Sequence, residues 1–426
     1  MAIAARETAI KPGYKLTEVG VIPEEWEIKR LGRVGRVIRG ASPRPQGDKR
    51  YYGGNIARLM VEDVTRDGKY IIPIVDYLTE EGAKRSRPCK KGTLTIVCSG
   101  TVGIPSFLAV DACIHDGFLA LIEINKRVYD DYLYHQLMML KEKFEISATH
   151  GGVFTNLTTN ILIDFQIPLP PLPEQHAIAT ALSDVDALIA SLDKLIAKKR
   201  DIKQATMQQL LTGKMRLPGF SKQVKSAYKQ TDIGVIPAEW NFYKFAQIAT
   251  IRKKHVAPKR FDTDLFCVEL EHIGQGSGRL ITYSTVTDAY SLKAEFNTGD
   301  ILFGRLRAYL RKYWLADRDG ICSTEIWPLI PNENAVTSQY LFQLVQTNQF
   351  IEAACTAYGT HMPRADWNVL KNYEVSLPPL NEQQAIATVL ADMDAEIAAL
   401  ERRRDKTRAL KQGMMQELLT GKTRLV

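Results

Sequence analysis

Four short polar, basic stretches of the chain are suited to nucleic-acid binding, and two of them also include tyrosines. Lys and Arg attract phosphates, whereas Ser, Asn and Arg side chains can hydrogen-bond to base edges. In the first half of the chain the candidate residues are Arg39, Ser42, Arg44, Lys49, Arg50, Tyr51, Lys84, Arg85 and Arg87. In the second half they are Arg252, Lys253, Lys254, Lys259, Arg260, Arg305, Arg307, Tyr309 and Arg311. Each stretch could instead be solvated surface.

Two polar, glycine-bearing loops add further candidates. Residues 149–152 read THGG and residues 358–361 read YGTH, and Gly151 and Gly359 are 208 positions apart. Tight turns alone would explain the glycines, but a backbone without side chains can also approach a ligand closely. We therefore add five polar or basic residues to the candidate set, namely His150, Thr155, Asn156, His361 and Arg364.

The sequence lacks the motifs of the common enzyme classes. Gly421, Lys422 and Thr423 do not form a phosphate-binding loop, because Gln416 stands where that motif requires glycine. A zinc-binding H-E-x-x-H helix, a G-x-S-x-G elbow and an aminomethyltransferase N/D-P-P-Y/F motif are also missing. Only residues 27–29, which read EIK, have the spacing found in many metal-dependent nucleases. Because such triplets are frequent, we predict no catalytic residue, no metal site and no cofactor in this chain.

Length, charge and hydropathy suit a soluble protein of several domains. A chain of 426 residues exceeds the usual size of one domain, and its net charge of +8 suits a polyanionic partner without identifying one. The six cysteines are widely scattered, which predicts reduced thiols. The first ten residues include Arg6 and Glu7, and no run of roughly 18 apolar residues occurs. We therefore expect a cytoplasmic protein without a membrane span.

The chain contains an internal duplication, in which two pairs of similar segments, called the frame below, flank dissimilar interiors. Residues 14–26 and 228–240 share 9 of 13 positions at an offset of 214, and residues 167–216 and 375–424 share 29 of 50 at an offset of 208. The interiors, residues 27–166 and 241–374, show little similarity. Two modules that recognise different targets would diverge in this way, although drift in a repeated scaffold remains an alternative.

The matched C-terminal segments have the apolar spacing of long helices. Their apolar residues alternate at spacings of 4 and 3, which is typical of a coiled-coil seam. The predicted seam residues are Ile178, Leu182, Val185, Ile189, Leu192 and Ile196 in the first copy and Ile386, Leu390, Met393, Ile397 and Leu400 in the second. Each narrow stripe needs a partner, so we expect the two helices to pair with each other in antiparallel orientation. Packing of each helix on its own domain, or exchange in a homodimer, is the alternative.

The chain resembles the specificity subunits, commonly called HsdS, of Type I restriction-modification systems. The resemblance rests on the opening YKxTxxGVIPxEW at residues 14–26, the PLPPLPEQ and SLPPLNEQ segments at 168–175 and 376–383, and the LLTGK endings at 210–214 and 418–422. Each motif alone is weak, but their paired occurrence in order is specific. The resemblance covers nearly the whole chain.

The resemblance implies an α/β (α+β) fold arranged as a pseudo-twofold tandem repeat. Two β-rich target recognition domains, residues 1–173 and 217–381, would be joined by spacer helices at 174–216 and 382–426 in an antiparallel coiled coil. It implies binding to double-stranded DNA with a bipartite target, read one half-site per domain. It also implies two methyltransferase subunits that bind S-adenosylmethionine, together with restriction subunits that carry the motor and nuclease.

Two other functions stay open on the sequence alone. The modest net charge and the long helices would also suit a two-headed protein-binding scaffold without DNA specificity. A fused nuclease would rest only on the triplet Glu27-Ile28-Lys29. Selective, salt-dependent DNA binding separates the specificity subunit from the scaffold.

Overall fold

The protein is described by a computed structural model that covers residues 10–151, 154–220, 228–231, 234–256, 265–285, 292–355 and 363–425. The chain forms two compact units. The first unit contains Met1–Leu192 and Arg403–Val426, and the second contains Asp193–Arg402. The C-terminal segment of the chain therefore folds with the N-terminal domain.

The elements up to the end of the first long helix are mostly short strands. The strands are β1 (Tyr14–Thr17), β2 (Gly20–Pro23), β3 (Glu27–Arg30), β4 (Arg36–Arg39), β5 (Tyr52–Leu59), β6 (Tyr70–Ile71), β7 (Asp76–Leu78), β8 (Arg87–Cys89), β9 (Leu94–Val97), β10 (Pro105–Leu108), β11 (Ala112–Ile114), β12 (Phe118–Ile122), β13 (Thr149–Gly151), β14 (Phe154–Asn156) and β15 (Gln166–Leu169). The helices are α1 (Leu31–Val34), α2 (Val61–Asp67), α3 (Glu80–Lys84), α4 (Asp130–Met139), α5 (Lys141–Ser147), α6 (Thr159–Asp164) and α7 (Leu172–Leu210).

Two sheets form the centre of the first unit. A five-stranded sheet has the order β4-β12-β9-β10-β6, and a four-stranded sheet has the order β7-β5-β11-β8. Alternate residues of a strand face opposite sides of its sheet. Leu94 and Ile96 of β9 accordingly join the large core that also contains Tyr132 of α4, whereas Val97 joins a second core with Ile114 of β11. The central strands therefore bury both faces, which explains their continuous apolar sequences.

The second unit repeats this composition. Its strands are β16 (Tyr228–Thr231), β17 (Gly234–Pro237), β18 (Asn241–Lys244), β19 (Ala249–Ile251), β20 (His255–Val256), β21 (Phe266–Val268), β22 (Ser284–Thr285), β23 (Lys293–Phe296), β24 (Ile301–Gly304), β25 (Tyr313–Leu315), β26 (Gly320–Ser323), β27 (Ile326–Pro331) and β28 (Glu374–Leu377). Its helices are α8 (Phe245–Ile248), α9 (Ser338–Leu344), α10 (Asn348–Ala354), α11 (Trp367–Leu370) and α12 (Leu380–Leu418), with 3-10 turns at Leu270–His272 and Ala308–Leu310.

The sheets of the second unit follow the same plan as those of the first. A four-stranded sheet has the order β19-β27-β24-β25, and a five-stranded sheet has the order β20-β23-β26-β21-β22. The second unit also has a large core, which includes residues of the helices, and a smaller one. Ile301 and Phe303 of β24 face the large core, whereas Leu302 faces the smaller one. The matched hairpins have equivalent registers, because Tyr14 pairs with Pro23 and Tyr228 pairs with Pro237. The predicted fold of two β-rich domains with long helices is confirmed.

The two long helices, α7 and α12, are each 39 residues long and contact each other within both units. In the second unit Lys199 Nζ lies 2.7 Å from Glu396, and Lys203 Nζ lies 2.7 Å from Asp394. Residue numbers rise along one helix as they fall along the other, so these segments run antiparallel. The equivalent ion pair of the first unit is formed by Lys411 and Asp186, with Lys411 Nζ 2.6 Å from Asp186 Oδ1.

The predicted seam residues differ in what surrounds them. Ile178 and Leu182 lie in the core of the first unit, and Ile386 and Leu390 lie in the core of the second. The starts of both helices therefore pack on their own domain. Farther along, Leu192, Ile196 and Ile397 are also buried, while the half-buried positions are Val185, Ile189, Met393 and Leu400.

The described residues show two further features of the chain. The six cysteines are free thiols, and five of them are buried, leaving Cys355 exposed. Across the described part of the chain, every helix is too short or too polar to span a membrane.

Candidate nucleic-acid interface

Asp116 organises the largest group of predicted residues in the first unit. Ser42 Oγ donates a hydrogen bond to Asp116 Oδ1 at 2.6 Å, and Arg44 Nη2 lies 3.5 Å from Asp116 Oδ2. Arg39 Nε donates to the Asp116 carbonyl at 3.1 Å, and Arg39 Nη2 donates to Asn156 Oδ1 at 3.2 Å. The fold thus gathers predicted residues that lie as many as 117 positions apart.

The hydrogen bonds around Asp116 hold its carboxyl group in the charged form. Burial favours the neutral acid, but the hydrogen bond from Ser42 and the proximity of His115 outweigh that effect and lower the pKa of Asp116. Burial and the nearby charge of Arg58 lower the pKa of His115, so its imidazole is neutral at pH 7. A fixed carboxylate can orient neighbouring guanidinium groups for contact with phosphates or bases.

A cavity of about 390 Å³ opens beside the Asp116 group. Its lining residues are Arg39, Met60, Val61, Glu62, Ser99, Gly100, His115, Asp116 and Gly117. Arg87 is exposed nearby, with its Nε donating to the Arg39 carbonyl at 3.2 Å. The cavity therefore combines a cationic side chain, a charged carboxylate and exposed backbone in one concave surface.

Tyr51 is buried and supports two of the predicted arginines. Only 2% of its surface is exposed, and the guanidinium carbons of Arg50 and Arg85 lie 5.2 and 4.6 Å from its ring centroid. Asp48 accepts from Arg50 Nη2 at 2.7 Å. The Tyr51 ring thus positions cations, and its burial does not suit stacking on a base. The other first-unit candidates, Lys49 and Lys84, are exposed.

Glu325 is a carboxylate of the second unit that likewise gathers predicted arginines. Arg364 donates to it from Nε at 3.0 Å and from Nη2 at 2.8 Å. The hydrogen bonds and the positive charge of Arg364, with a further contribution from the charge of Arg305, lower the pKa of Glu325. Backbone hydrogen bonds of 2.8 Å join Arg307 to Pro363 and Ala365 to Arg305. Three predicted arginines, Arg305, Arg307 and Arg364, are thereby brought together.

The side chains near Glu325 differ in their exposure and in their contacts. The guanidinium carbon of Arg305 lies 5.3 Å from the centroid of the buried Trp327 ring. Arg311 Nη2 donates to Asn348 Oδ1 at 2.7 Å. Arg307, which directly precedes the 3-10 turn, and Tyr309 within it are both exposed, and 52% of the Tyr309 surface is accessible. These last two side chains are well placed to reach a partner.

The earlier basic stretch of the second unit has one side chain committed to an internal ion pair. Arg252 forms two hydrogen bonds with Asp300, at 2.8 and 2.9 Å, and Asp300 is buried. Lys254 pairs with Glu295 at 2.8 Å, and Lys253 is exposed. Arg252 therefore has a structural role in addition to any contact with DNA.

Several predicted residues fall outside the described part of the structure. Lys259, Arg260 and His361 belong to segments outside the described residues. The backbone of His150 lies in β13 and that of Thr155 lies in β14, but their side chains are outside the description.

A family model described as the Type I restriction modification DNA specificity domain matches residues 23–199 and 237–407, which is most of the chain. The chain belongs to this family. Each match includes one variable interior and part of one long helix, so the duplication seen in the sequence corresponds to two copies of the family domain.

Relatives of known function agree with this assignment. The chain is 27% identical over 424 residues to the Type I restriction enzyme MjaVIII specificity subunit of Methanocaldococcus jannaschii, covering 95% of this chain and 94% of that protein. It is 26% identical over 287 residues to the EcoDI specificity subunit of Escherichia coli, covering 63% of this chain and 64% of that protein.

A solved structure shows the same fold. The S subunit of a Type I restriction-modification system from M. genitalium matches with a TM-score of 0.55 and 13% sequence identity. The match covers 92% of this chain and 96% of that one. The structural match supports the fold, while the family model and the relatives above make the chain the DNA specificity subunit of a Type I restriction-modification system, a non-catalytic component. The scaffold hypothesis, which denied DNA specificity, is wrong.

The nuclease hypothesis finds no geometric support in the specificity subunit. Glu27 Oε2 pairs with Lys29 Nζ at 2.7 Å on the exposed strand β3, and this hydrogen bond lowers the pKa of Glu27. Within the described ranges, no three His, Cys, Asp or Glu side chains gather in a way that could hold a metal ion.

Sequence reasoning missed the carboxylates that organise the specificity subunit. Asp116 and Glu325 lie in interiors that do not align, so no sequence pattern identified them. Glu174 and Glu382 are buried at the starts of the long helices. A signal for this second pair was available, because both residues belong to the matched frame and are identical in the two copies.

Proposed function

We propose that the specificity subunit reads a bipartite, asymmetric double-stranded DNA target, with one half-site assigned to each unit. The observation that carries this proposal is the contrast between the similar frame segments and the dissimilar interiors. In both interiors arginines surround a charged carboxylate, yet the residues of the two groups differ. Such groups suit two readers of different sequences within one DNA-binding protein.

The duplicated frame also supports the proposed partners. Val21 and Val235 occupy equivalent hairpin positions and are 41% and 58% exposed. A surface that occurs once in each unit can bind the same protein twice. We therefore assign two methyltransferase subunits to it, each carrying S-adenosylmethionine, with restriction subunits joining for cleavage. A complex that modifies chromosomal DNA would act in the cytoplasm of a prokaryotic cell.

The proposed division of labour follows the predicted domains. Residues 1–173 and 217–381 would recognise DNA, and residues 174–216 and 382–426 would set the gap between the half-sites. Because an α-helix rises 1.5 Å per residue, removing two turns from both helices shortens each by roughly 11 Å. Shortened helices should change the gap in the methylated sequence and leave both half-sites intact. An unchanged gap would refute the spacer role.

The central experiment exchanges one interior at a time. Residues 27–166 are replaced by the interior of a related specificity subunit, and modified bases are mapped by long-read sequencing of cells that carry the complete complex. We expect one half of the methylated motif to change and the other half to remain. The reciprocal control exchanges residues 241–374 and should alter the opposite half. If both exchanges leave the methylated motif unchanged, the proposal is wrong.

A further inference from the structure

One backbone position is built in the same way in both units. In the first, the N–H of Cys98 donates to the Gly117 carbonyl at 2.8 Å, and the N–H of Leu157 donates to the Cys98 carbonyl at 2.8 Å. A bridge joins Ser99 to Asn156. These bonds join the end of β9, the approach to β12 and the segment after β14.

The second unit repeats each of these bonds at an offset of 207 or 208 residues. The N–H of Arg305 donates to the Glu325 carbonyl at 2.9 Å, and the N–H of Ala365 donates to the Arg305 carbonyl at 2.8 Å. A bridge joins Leu306 to Arg364. Asn156 and Arg364 therefore occupy the same place in the two units, although the surrounding interiors do not align in sequence.

The side chains at this place differ, whereas many equivalent polar residues of the frame are identical, as Glu174 and Glu382 show. Asn156 is half-buried and the Arg364 side chain is 43% exposed, so both can reach a ligand. A position with a fixed backbone and a variable, accessible polar side chain is suited to determining specificity.

Each side chain is also held in a defined orientation. Arg39 donates to Asn156 Oδ1 at 3.2 Å, which fixes the direction of the amide. Glu325 receives hydrogen bonds from Nε and Nη2 of Arg364, which leaves the edge formed by Nη1 and Nη2 able to donate two parallel bonds. A guanidinium group supported in this way matches O6 and N7 of guanine, and an amide matches N6 and N7 of adenine.

We propose that Asn156 and Arg364 are equivalent specificity-determining residues, Asn156 reading an adenine and Arg364 a guanine in their respective half-sites. This inference rests on the proposed function, since it requires that each unit read its own half-site. Asp116 and Glu325, with the neighbouring arginines, are positioning residues for these contacts.

The first test maps methylation in cells that carry the complete complex with Arg364→Asn or Asn156→Arg. Arg364→Asn should change or relax one base pair in the half-site of the second unit, and Asn156→Arg should do so in the half-site of the first. Arg36→Ala and Arg318→Ala are matched controls, because both residues are exposed arginines paired with carboxylates at 2.7 Å. The controls should leave the motif unchanged.

The second test uses the purified complex and duplexes that differ at single base pairs, at one salt concentration. Loss of a bidentate contact should reduce discrimination at one position by roughly 5- to 150-fold. Arg364→Lys keeps the charge without the planar fork, and Asn156→Asp keeps the size without the amide donor. Both conservative variants should assemble and retain binding to non-specific DNA.

The outcomes separate this inference from the proposed function. If the interior exchanges alter the motif while the conservative variants discriminate bases as the unchanged protein does, the assignment of Asn156 and Arg364 is wrong and the function stands. If the exchanges also leave the motif unchanged, the proposed function itself fails.

Discussion

The indole Nε1–H of Trp26 donates a hydrogen bond to Glu174 Oε2 at 3.0 Å, in the core of the first unit. Trp26 is fully buried and Glu174 is 2% exposed. Arg424 donates to the same carboxylate from Nε at 2.6 Å and from Nη2 at 2.9 Å. The buried Glu174 carboxylate at the start of α7 therefore connects this helix both to Trp26 and to Arg424.

Glu174→Ala should destabilise the first unit by about 2 to 4 kcal/mol, because it leaves the Trp26 N–H and the Arg424 charge without their buried partner. Hydrogen exchange with mass spectrometry would show faster exchange in the first unit and unchanged protection in the second. Glu25→Ala is the matched control, since Glu25 also pairs with Arg424 but is 69% exposed. Equal effects of the two changes would contradict the importance of the buried contact.

Leu419→Ala and Leu211→Ala should each destabilise a different unit. Leu419 is 0% exposed in the core of the first unit, and Leu211 occupies the equivalent place, 5% exposed, in the second. Removing such a buried side chain costs about 2 to 5 kcal/mol. Hydrogen exchange should therefore lose protection among residues 14–172 in Leu419→Ala and among residues 241–377 in Leu211→Ala. The opposite distribution would be inconsistent with the observed units.

The first unit should lose stability as the pH falls below about 6.5, through the buried residue His135. Burial, assisted by the charges of Lys69 and Lys411 and opposed by Asp131, lowers the pKa of His135 to about 3. The unfolded chain binds a proton near pH 6.5, whereas the folded unit stays neutral. His135 therefore favours folding above pH 6.5, and this contribution is lost between pH 6.5 and about 3.

The expected loss attributable to His135 is about 2 kcal/mol between pH 7.5 and 5.0. Exchange protection or thermal unfolding of the first unit, measured at both pH values, would check it. His135→Gln should reduce the pH dependence, because the variant has no imidazole to titrate. His255→Gln, at an exposed histidine, should leave it intact. A pH dependence that His135→Gln does not change would count against this explanation.

Lys84→Ala should weaken DNA binding to a similar extent for every sequence. Lys84 ends α3 and is exposed, with Arg85 and Arg87 following it. If it contacts a phosphate, its removal should reduce the slope of log K against log salt concentration by about 0.9. Titrations of the assembled complex at several salt concentrations would measure this slope. Lys126→Ala, at an exposed lysine outside the candidate set, should preserve it.

The sequence by itself determined the frame of this protein. Identity between residues 167–216 and 375–424, together with apolar spacings of 4 and 3, predicts two equivalent long helices, and both were found with 39 residues. Such features are local or repeated, so they can be read along the chain. The family assignment followed from the same frame motifs, because they occur in pairs and in order.

Only the tertiary structure decided which polar groups meet. Arg39, Asp116 and Asn156 are distant in sequence and come together through the fold, whereas Tyr51, one of the predicted DNA-binding residues, is buried beneath two arginines. The seam pattern likewise left open that Ile178 and Ile386 pack on domain cores. These contacts depend on strand order and burial, which no single segment specifies, and the dissimilar interiors offer no repeat from which to infer them.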